Sequence, residues 1–224
     1  MGARAKLAIA VAAVAVFAVA TVASAGVAVM LSPSAVMVKY PHSARLTVAF
    51  PDSGPETAAI LAMPVNGMWT TTTIVVTTAT PSFSVKPKVT TAYKAWTNDG
   101  MTSNLSTVSV AANLVKPQIN GTLRKGYTVK GTITPAENGA TVTVTFLRLE
   151  TVTVPAKHGI GHLRKSIWVQ HTQVVVTLTS VNSQVSKWSI KNWNPVEKGA
   201  WKIVVSHADL THVASSATAY KWIH

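Results

Sequence analysis

Between Ala44 and Phe50 the chain sets apolar and polar residues in strict turn, ARLTVAF, and then stops at Pro51-Asp52-Ser53-Gly54-Pro55. A period of two places one set of side chains on each face of an extended strand. The stop has a mechanism, because proline fixes φ and glycine frees it. The same texture continues through TTTIVVTT, SFSVKP, AYKAW and STVSVAA. It resumes in GYTVKGTI, turns at Pro135-Ala136-Glu137-Asn138-Gly139, and runs on through ATVTVTFLRLE, QVVVTLTS, KWSIK, GAWKIVVSH and ATAYKWIH. Past the N-terminal segment no window holds a helical period. Short strands at intervals of about 8–12 residues predict a sandwich or a barrel.

Two of these stretches share one order of residues. SFSVKPKVTTAYKAW (82–96) and KWSIKNWNPVEKGAWKIVV (187–205) each run aromatic-Ser-aliphatic-Lys, a linker with a further Lys, then Ala-aromatic-Lys. Read at period two, Trp188 and Ile190 face away from Lys187, Ser189 and Lys191, and Phe83 and Val85 face away from Ser84 and Lys86. Trp201, Ile203 and Val205 oppose Lys202, and Tyr93 and Ala95 oppose Lys94 and Trp96. Each half is expected to build one antiparallel pair with an aromatic anchor in its core. The chain therefore reads as an internal duplication, two sandwiches in tandem over 26–112 and 113–224. SVAANLVKP is their junction, with Pro117 opening the second unit as Pro33 opens the first. The second unit carries extra material near 151–170, expected as a protruding basic hairpin with its tip at 157–165.

The chain has 224 residues, 48% of them apolar, enough for two cores. Its first residues read as a leader. Arg4 and Lys6 precede an uncharged Ala/Val-rich run, and Ala23-Ser24-Ala25 is a cleavage site of the A-x-A kind. Cleavage after Ala25 is expected, with GVAVMLSP as the first strand of the mature fold; an uncleaved anchor is the alternative, since the apolar run reaches bilayer length. Both place the remainder outside the membrane, secreted or at the cell surface. Cysteine is absent, which removes disulfides, thiolate metal sites and a Cys nucleophile. ATAYKWIH closes the chain within a strand, so covalent wall attachment through a C-terminal signal is not expected.

GTLRKGYTVKGTITP, followed later by KGAWKIVVSHADLTHVASSATAYKW, resembles the immunoglobulin-like repeats of secreted and cell-surface proteins of actinobacteria and related Gram-positive bacteria. Those repeats carry a Gly-x-Trp-x-Val-x-x-x-His-x-Asp segment, matched here by Gly199, Trp201, Ile203, His207 and Asp209. The first unit resembles companion repeats in which SFSVKP precedes Thr-x-Tyr. The resemblance implies an all-β protein of two tandem immunoglobulin-like antiparallel β-sandwiches after a signal peptide, serving as an adhesion or binding module or as a spacer. The basic hairpin departs from the pattern.

Charge separates the halves. Of 20 Lys and Arg against 7 Asp and Glu, residues 113–224 hold 13 and 4, and residues 26–112 hold 5 and 3. Outward lysines protect strand edges and keep a protein soluble. The functional alternative is attraction to an envelope polyanion or glycan through Lys157, Arg164, Lys165, Arg124 and Lys125, acting by Coulomb steering; another surface protein is the further candidate partner. Ordered RNA-binding aromatics are absent, so nucleic acid is not expected.

Catalytic constellations are thin. Ser206, His207 and Asp209 have the letters of a triad but lie within four residues, where no attack geometry forms. His207 is in phase with Trp201, Ile203 and Val205 and is expected to close the core, bonded to Asp209 or His212. Paired carboxylates and phosphate-cradling loops are not evident. The chain is accordingly expected not to be an enzyme and to need no cofactor. His158, His162 and His171 invite a metal site on the hairpin, but Gly159 and Gly161 favour a solvated loop, and no metal is expected. Trp193, in KNWNP, is expected in a loop, either stacking on a sugar ring or capping the sandwich.

Overall fold

The computed structural model describes residues 29–50, 56–155, 162–195 and 197–224. The leader reading of 1–25, the turn at 51–55 and residues 157–161 of the expected hairpin tip, with Lys157 and His158, lie outside the described residues; residues 162–165, expected in that tip, stand in a strand instead. Among the described residues the chain is all-β, without helix.

The first unit carries β1 (Met30–Pro33), β2 (Met37–Lys39), β3 (Ala44–Ala49), β4 (Thr57–Pro64), β5 (Thr70–Thr77), β6 (Ser82–Val85), β7 (Thr91–Thr97) and β8 (Ser106–Ala111). They form a three-stranded sheet, β1-β3-β6, facing a five-stranded one, β2-β8-β7-β4-β5. All pairs are antiparallel except β2–β8. The alternation seen in ARLTVA becomes literal burial: Ala44, Leu46 and Val48 are inside and Arg45, Thr47 and Ala49 outside. TAAILAMP was not legible as a strand, because β4 is a near-continuous apolar run without alternation. It sits between β5 and β7, where both neighbours hold it by hydrogen bonds.

The second unit carries β9 (Asn113–Leu114), β10 (Gln118–Thr122), β11 (Gly126–Thr134), β12 (Thr141–Pro155), β13 (His162–Thr177), β14 (Thr179–Ser180), β15 (Ser186–Trp193), β16 (Gly199–His207) and β17 (Ser215–Ile223). One sheet runs β10-β11-β15-β14 with β9 on β11; the other runs β13-β12-β16-β17. Two separate apolar clusters result. One draws on residues from Val29 to Val110, the other on residues from Ala112 to Ile223.

The repeated phrase receives a different account from the one its sequence suggested. β15 pairs with β11 and β14, while β16 pairs with β12 and β17, so the two halves of the phrase lie in opposite sheets. In the first unit β6 pairs with β3 and β7 pairs with β4 and β8, again in different sheets. The expected hairpin-like pair does not form. The apolar faces had been assigned correctly, and they meet across the core instead of along a ladder. Trp188, Trp201, Ile203 and Val205 are all buried. Each fully buried apolar side chain of this size contributes about 1.5–3 kcal/mol.

β12 and β13 pair along their whole length, from Thr141 opposite Thr177 to Pro155 opposite His162. β16 accompanies β12 only as far as Arg148. Beyond that point the hairpin is a two-stranded arm, and its burial pattern weakens accordingly.

Candidate functional site at the junction of the sandwiches

β8 ends at Ala111 and β9 begins at Asn113, leaving one residue between the units. A second connection is built from the loop after β16. Thr90 N–H donates to Thr211 O at 2.8 Å, and Val213 N–H donates to Val110 O at 2.9 Å. His212 Nε2 donates to Lys88 O at 2.8 Å, again from the second unit to the first. Val110 is itself held by its N–H donating to Thr90 Oγ1 at 3.1 Å.

The loop owes its shape to Asp209. Its Oδ1 accepts from Thr211 N–H at 2.7 Å, His212 N–H at 2.7 Å and Thr211 Oγ1 at 2.8 Å. An aspartate is suited to this turn because its short carboxylate reaches the amides two and three residues on. Burial alone would raise the Asp209 pKa, but contact with Glu137 and these hydrogen bonds hold it well below the usual carboxylate range.

Four ionisable side chains converge beside the loop. His207 ends β16 with its side chain wholly buried, and His212 is nearly so. Glu137 belongs to the turn between β11 and β12. That turn is pinned by Glu137 N–H donating to Ser186 Oγ at 2.8 Å and Gly139 N–H donating to Leu178 O at 3.1 Å. Gly139 has φ of 82°, a left-handed conformation that suits glycine. The register of β12 against β16 brings the turn to the end of β16: Thr143 lies opposite Ser206. His207 Nδ1 donates to Thr141 O at 2.8 Å.

With those outer nitrogens committed to backbone carbonyls, the inner nitrogens point at carboxylates. His207 Nε2 is 2.9 Å from Glu137 Oε2 and 3.4 Å from Asp209 Oδ2. His212 Nδ1 is 2.7 Å from Glu137 Oε1 and 3.4 Å from Asp209 Oδ1. Glu137 thus sets one carboxylate oxygen against each imidazole. Burial pulls both imidazole pKa values down, yet Glu137, the backbone carbonyls and the charge of Asp209 outweigh it and raise them above the ordinary value.

The sequence places His207 at the end of the core, which is its position, but the expected bond to Asp209 or His212 is corrected: its Nδ1 donates to Thr141 O at 2.8 Å and its Nε2 faces Glu137 at 2.9 Å. Glu137 reads in the sequence only as a turn residue. The His-x-Asp-x-x-His spacing at 207–212 was the available signal; Glu137 enters only through strand register. The other expected residues are dispersed. Arg124 and Lys125 are exposed in the turn between β10 and β11, and Arg164 and Lys165 are exposed on the hairpin arm, in a different sheet. Lys157 is outside the described residues, as is His158, so the hairpin histidines are not brought together in what is described. His171 instead contacts Glu150 at 2.7 Å and lies edge-on to Trp201 at 5.1 Å. Trp193 is corrected from loop to strand. It ends β15, buried against Phe146 at 4.5 Å, Trp201 at 5.4 Å and Tyr127 at 5.7 Å, so no open ring face remains for a sugar.

No family model matches the chain, and no curated protein matches it. Among solved structures it is similar to a tetra-tandem repeat in the extending region of a large adhesion protein, at 16% identity and a TM-score of 0.36 over 89% of this chain and 50% of that one. It thus spans about half the length of that structure. It is also similar to a 1.5-MDa bacterial ice-binding adhesin, at 9% identity and a TM-score of 0.28 over 88% and 64% of the two chains. Red sea bream transglutaminase matches at 14% identity and a TM-score of 0.34 over 88% and 31%. Likeness of this size carries no argument about ligand or activity. The expectation that the chain is not an enzyme is withdrawn, an enzyme standing among the solved structures it is similar to.

Proposed function

We propose that the chain is a secreted or cell-surface, adhesion-related module in which the two sandwiches serve as one stiff extending segment. The observation that carries this reading is the doubled junction. A one-residue link and a flexible loop would leave the units free to swing. Here the loop after β16 adds the hydrogen bonds from Thr90, Val213 and His212 across the boundary. At about 0.5–1.5 kcal/mol net for each bond, three of them favour one orientation by about 1.5–4.5 kcal/mol. The leader-like N-terminus and the resemblance of GAWKIVVSHAD to surface repeats support the location.

An anionic envelope polymer is the partner class we propose for this segment, supported by the exposed Arg124, Lys125, Arg164 and Lys165. Small-angle scattering of the purified chain tests the stiffness: a single two-lobed particle is expected, and curves that require an ensemble of bent forms overturn it. Fractionation of producing cells tests the location. Wall-bound protein beginning at Gly26 and released by salt is expected; recovery only from the cytoplasm refutes the reading.

A further inference from the structure

We propose that Glu137, His207, Asp209 and His212 form a binding site for one divalent transition-metal ion of the zinc class, set at the junction of the two sandwiches. Among the described residues these four are the one group of His, Asp and Glu whose donor atoms gather, all within 4.8 Å of one another. Two imidazoles and two carboxylates are a donor set that zinc accepts in tetrahedral geometry.

Distance decides whether an ion fits. Tetrahedral bonds of about 2.0–2.1 Å hold neighbouring donors about 3.3 Å apart. The His-to-carboxylate approaches of 2.7, 2.9, 3.4 and 3.4 Å run to different oxygens of each carboxylate. Taking one donor atom from each residue, all four lie within 4.8 Å of one another, a spread that an ion draws in toward the tetrahedral spacing. Glu137 stands in a turn and Asp209 in a loop, the elements able to make that adjustment.

The nitrogens are prepared as ligands. A metal-binding histidine characteristically donates its other N–H to a carbonyl or carboxylate, which fixes the tautomer and aims the free lone pair. His207 does this through Nδ1 to Thr141 O and His212 through Nε2 to Lys88 O. That leaves His207 Nε2 and His212 Nδ1 facing the shared space. Thr211 Oγ1 lies 2.8 Å from His212 Nδ1 and 2.8 Å from Asp209 Oδ1; donating to Asp209 leaves that lone pair free. His207 Nε2 and both Glu137 oxygens are buried and have only the other members of this group facing them, so an ion seated among them would take all three as ligands. Because Lys88 belongs to the first sandwich, an ion here ties the loop to both units.

The test is metal uptake by the purified, chelator-stripped chain, with Zn²⁺ and Co²⁺ as probes. One ion per chain is expected, with the visible absorption of tetrahedral Co²⁺ and a rise in Tm on loading. Glu137→Gln and Asp209→Asn remove charge with little change of shape, and each is expected to weaken Zn²⁺ binding at least ~10-fold, since loss of a mere hydrogen-bond partner of a ligand already costs ~10–100-fold. The variant His158→Ala/His162→Ala/His171→Ala is expected to bind as the parent chain does. Absence of uptake at millimolar Zn²⁺ overturns the site and leaves a buried imidazole–carboxylate cluster. Uptake lost in the hairpin variant also overturns it, and this result stands even where a junction variant fails to fold. Scattering at the junction and metal uptake are separate measurements, so stiffness and metal site succeed or fail independently.

Discussion

Gly131→Ala isolates the contact on which the second core is most tightly drawn. Gly131 lies directly opposite Trp188 in the ladder between β11 and β15. A Cβ at this position would stand 2.7 Å from Trp188 Cζ2 and 2.9 Å from Cε2 and Nε1. Carbon atoms rest about 3.5–4.0 Å apart, so the ring would have to withdraw by about 0.8 Å. It has little room to do so, being 2% exposed. Overpacking of this kind costs about 1–3 kcal/mol. Alanine recovers about 0.5–1 kcal/mol of the chain entropy that glycine loses in a strand. The net expectation is a loss of about 1 kcal/mol, with an upper bound near 2.5 kcal/mol by the same figures. Urea unfolding followed by tryptophan fluorescence measures it, with Trp188→Phe and the double variant completing a cycle. If the ring is the obstacle, the smaller phenylalanine relieves it, and the double variant is less destabilised than the sum of the singles by about 1 kcal/mol. Strict additivity refutes the reasoning, as does a Gly131→Ala chain more stable than its parent.

At the junction, Val213→Pro removes the N–H that Val110 O accepts; a stability loss of about 1 kcal/mol or more is expected, with scattering that broadens towards bent forms, and an unchanged curve argues against a junction held by these bonds. Burial raises the Tyr93 phenol pKa, a hydrogen bond with Thr91 offsetting part of the rise. The neutral phenol is thus favoured in the folded state: its contribution is complete below the ordinary value of about 10 and is lost as pH rises through the raised one. Melts from pH 9 upward should fall more steeply for the parent than for Tyr93→Phe, and equal slopes count against it. Arg164→Glu with Lys165→Glu should weaken binding to isolated cell walls at low salt without altering the melt, and undiminished binding removes the arm from the polyanion contact.

What the sequence determined is the class of the fold and the facing of its strands. Alternation in ARLTVA, KWSIK and GAWKIVV follows from the two-residue period of an extended backbone, and burial of Leu46, Trp188 and Ile203 obeyed it. The presence of a hairpin near 151–170 was legible from TVTV, but its extent was not: β12 and β13 pair from Thr141 opposite Thr177, and His162–Lys165, expected in the tip, belong to β13. β4 was not legible, since a continuous apolar run carries no phase. Pairing was decided by tertiary structure alone. The repeated phrase fixes which faces are apolar, but two apolar faces are satisfied equally by a neighbour in the ladder or by a sheet opposite, and only closure of the whole sandwich selected the second. The junction site shows the same division. His207, Asp209 and His212 are close in sequence and could be noticed there; Glu137 joins them from about seventy residues away only because β12 lies beside β16 in the register that sets Thr143 opposite Ser206. Local spacing wrote three of the four donors, and long-range strand register supplied the last.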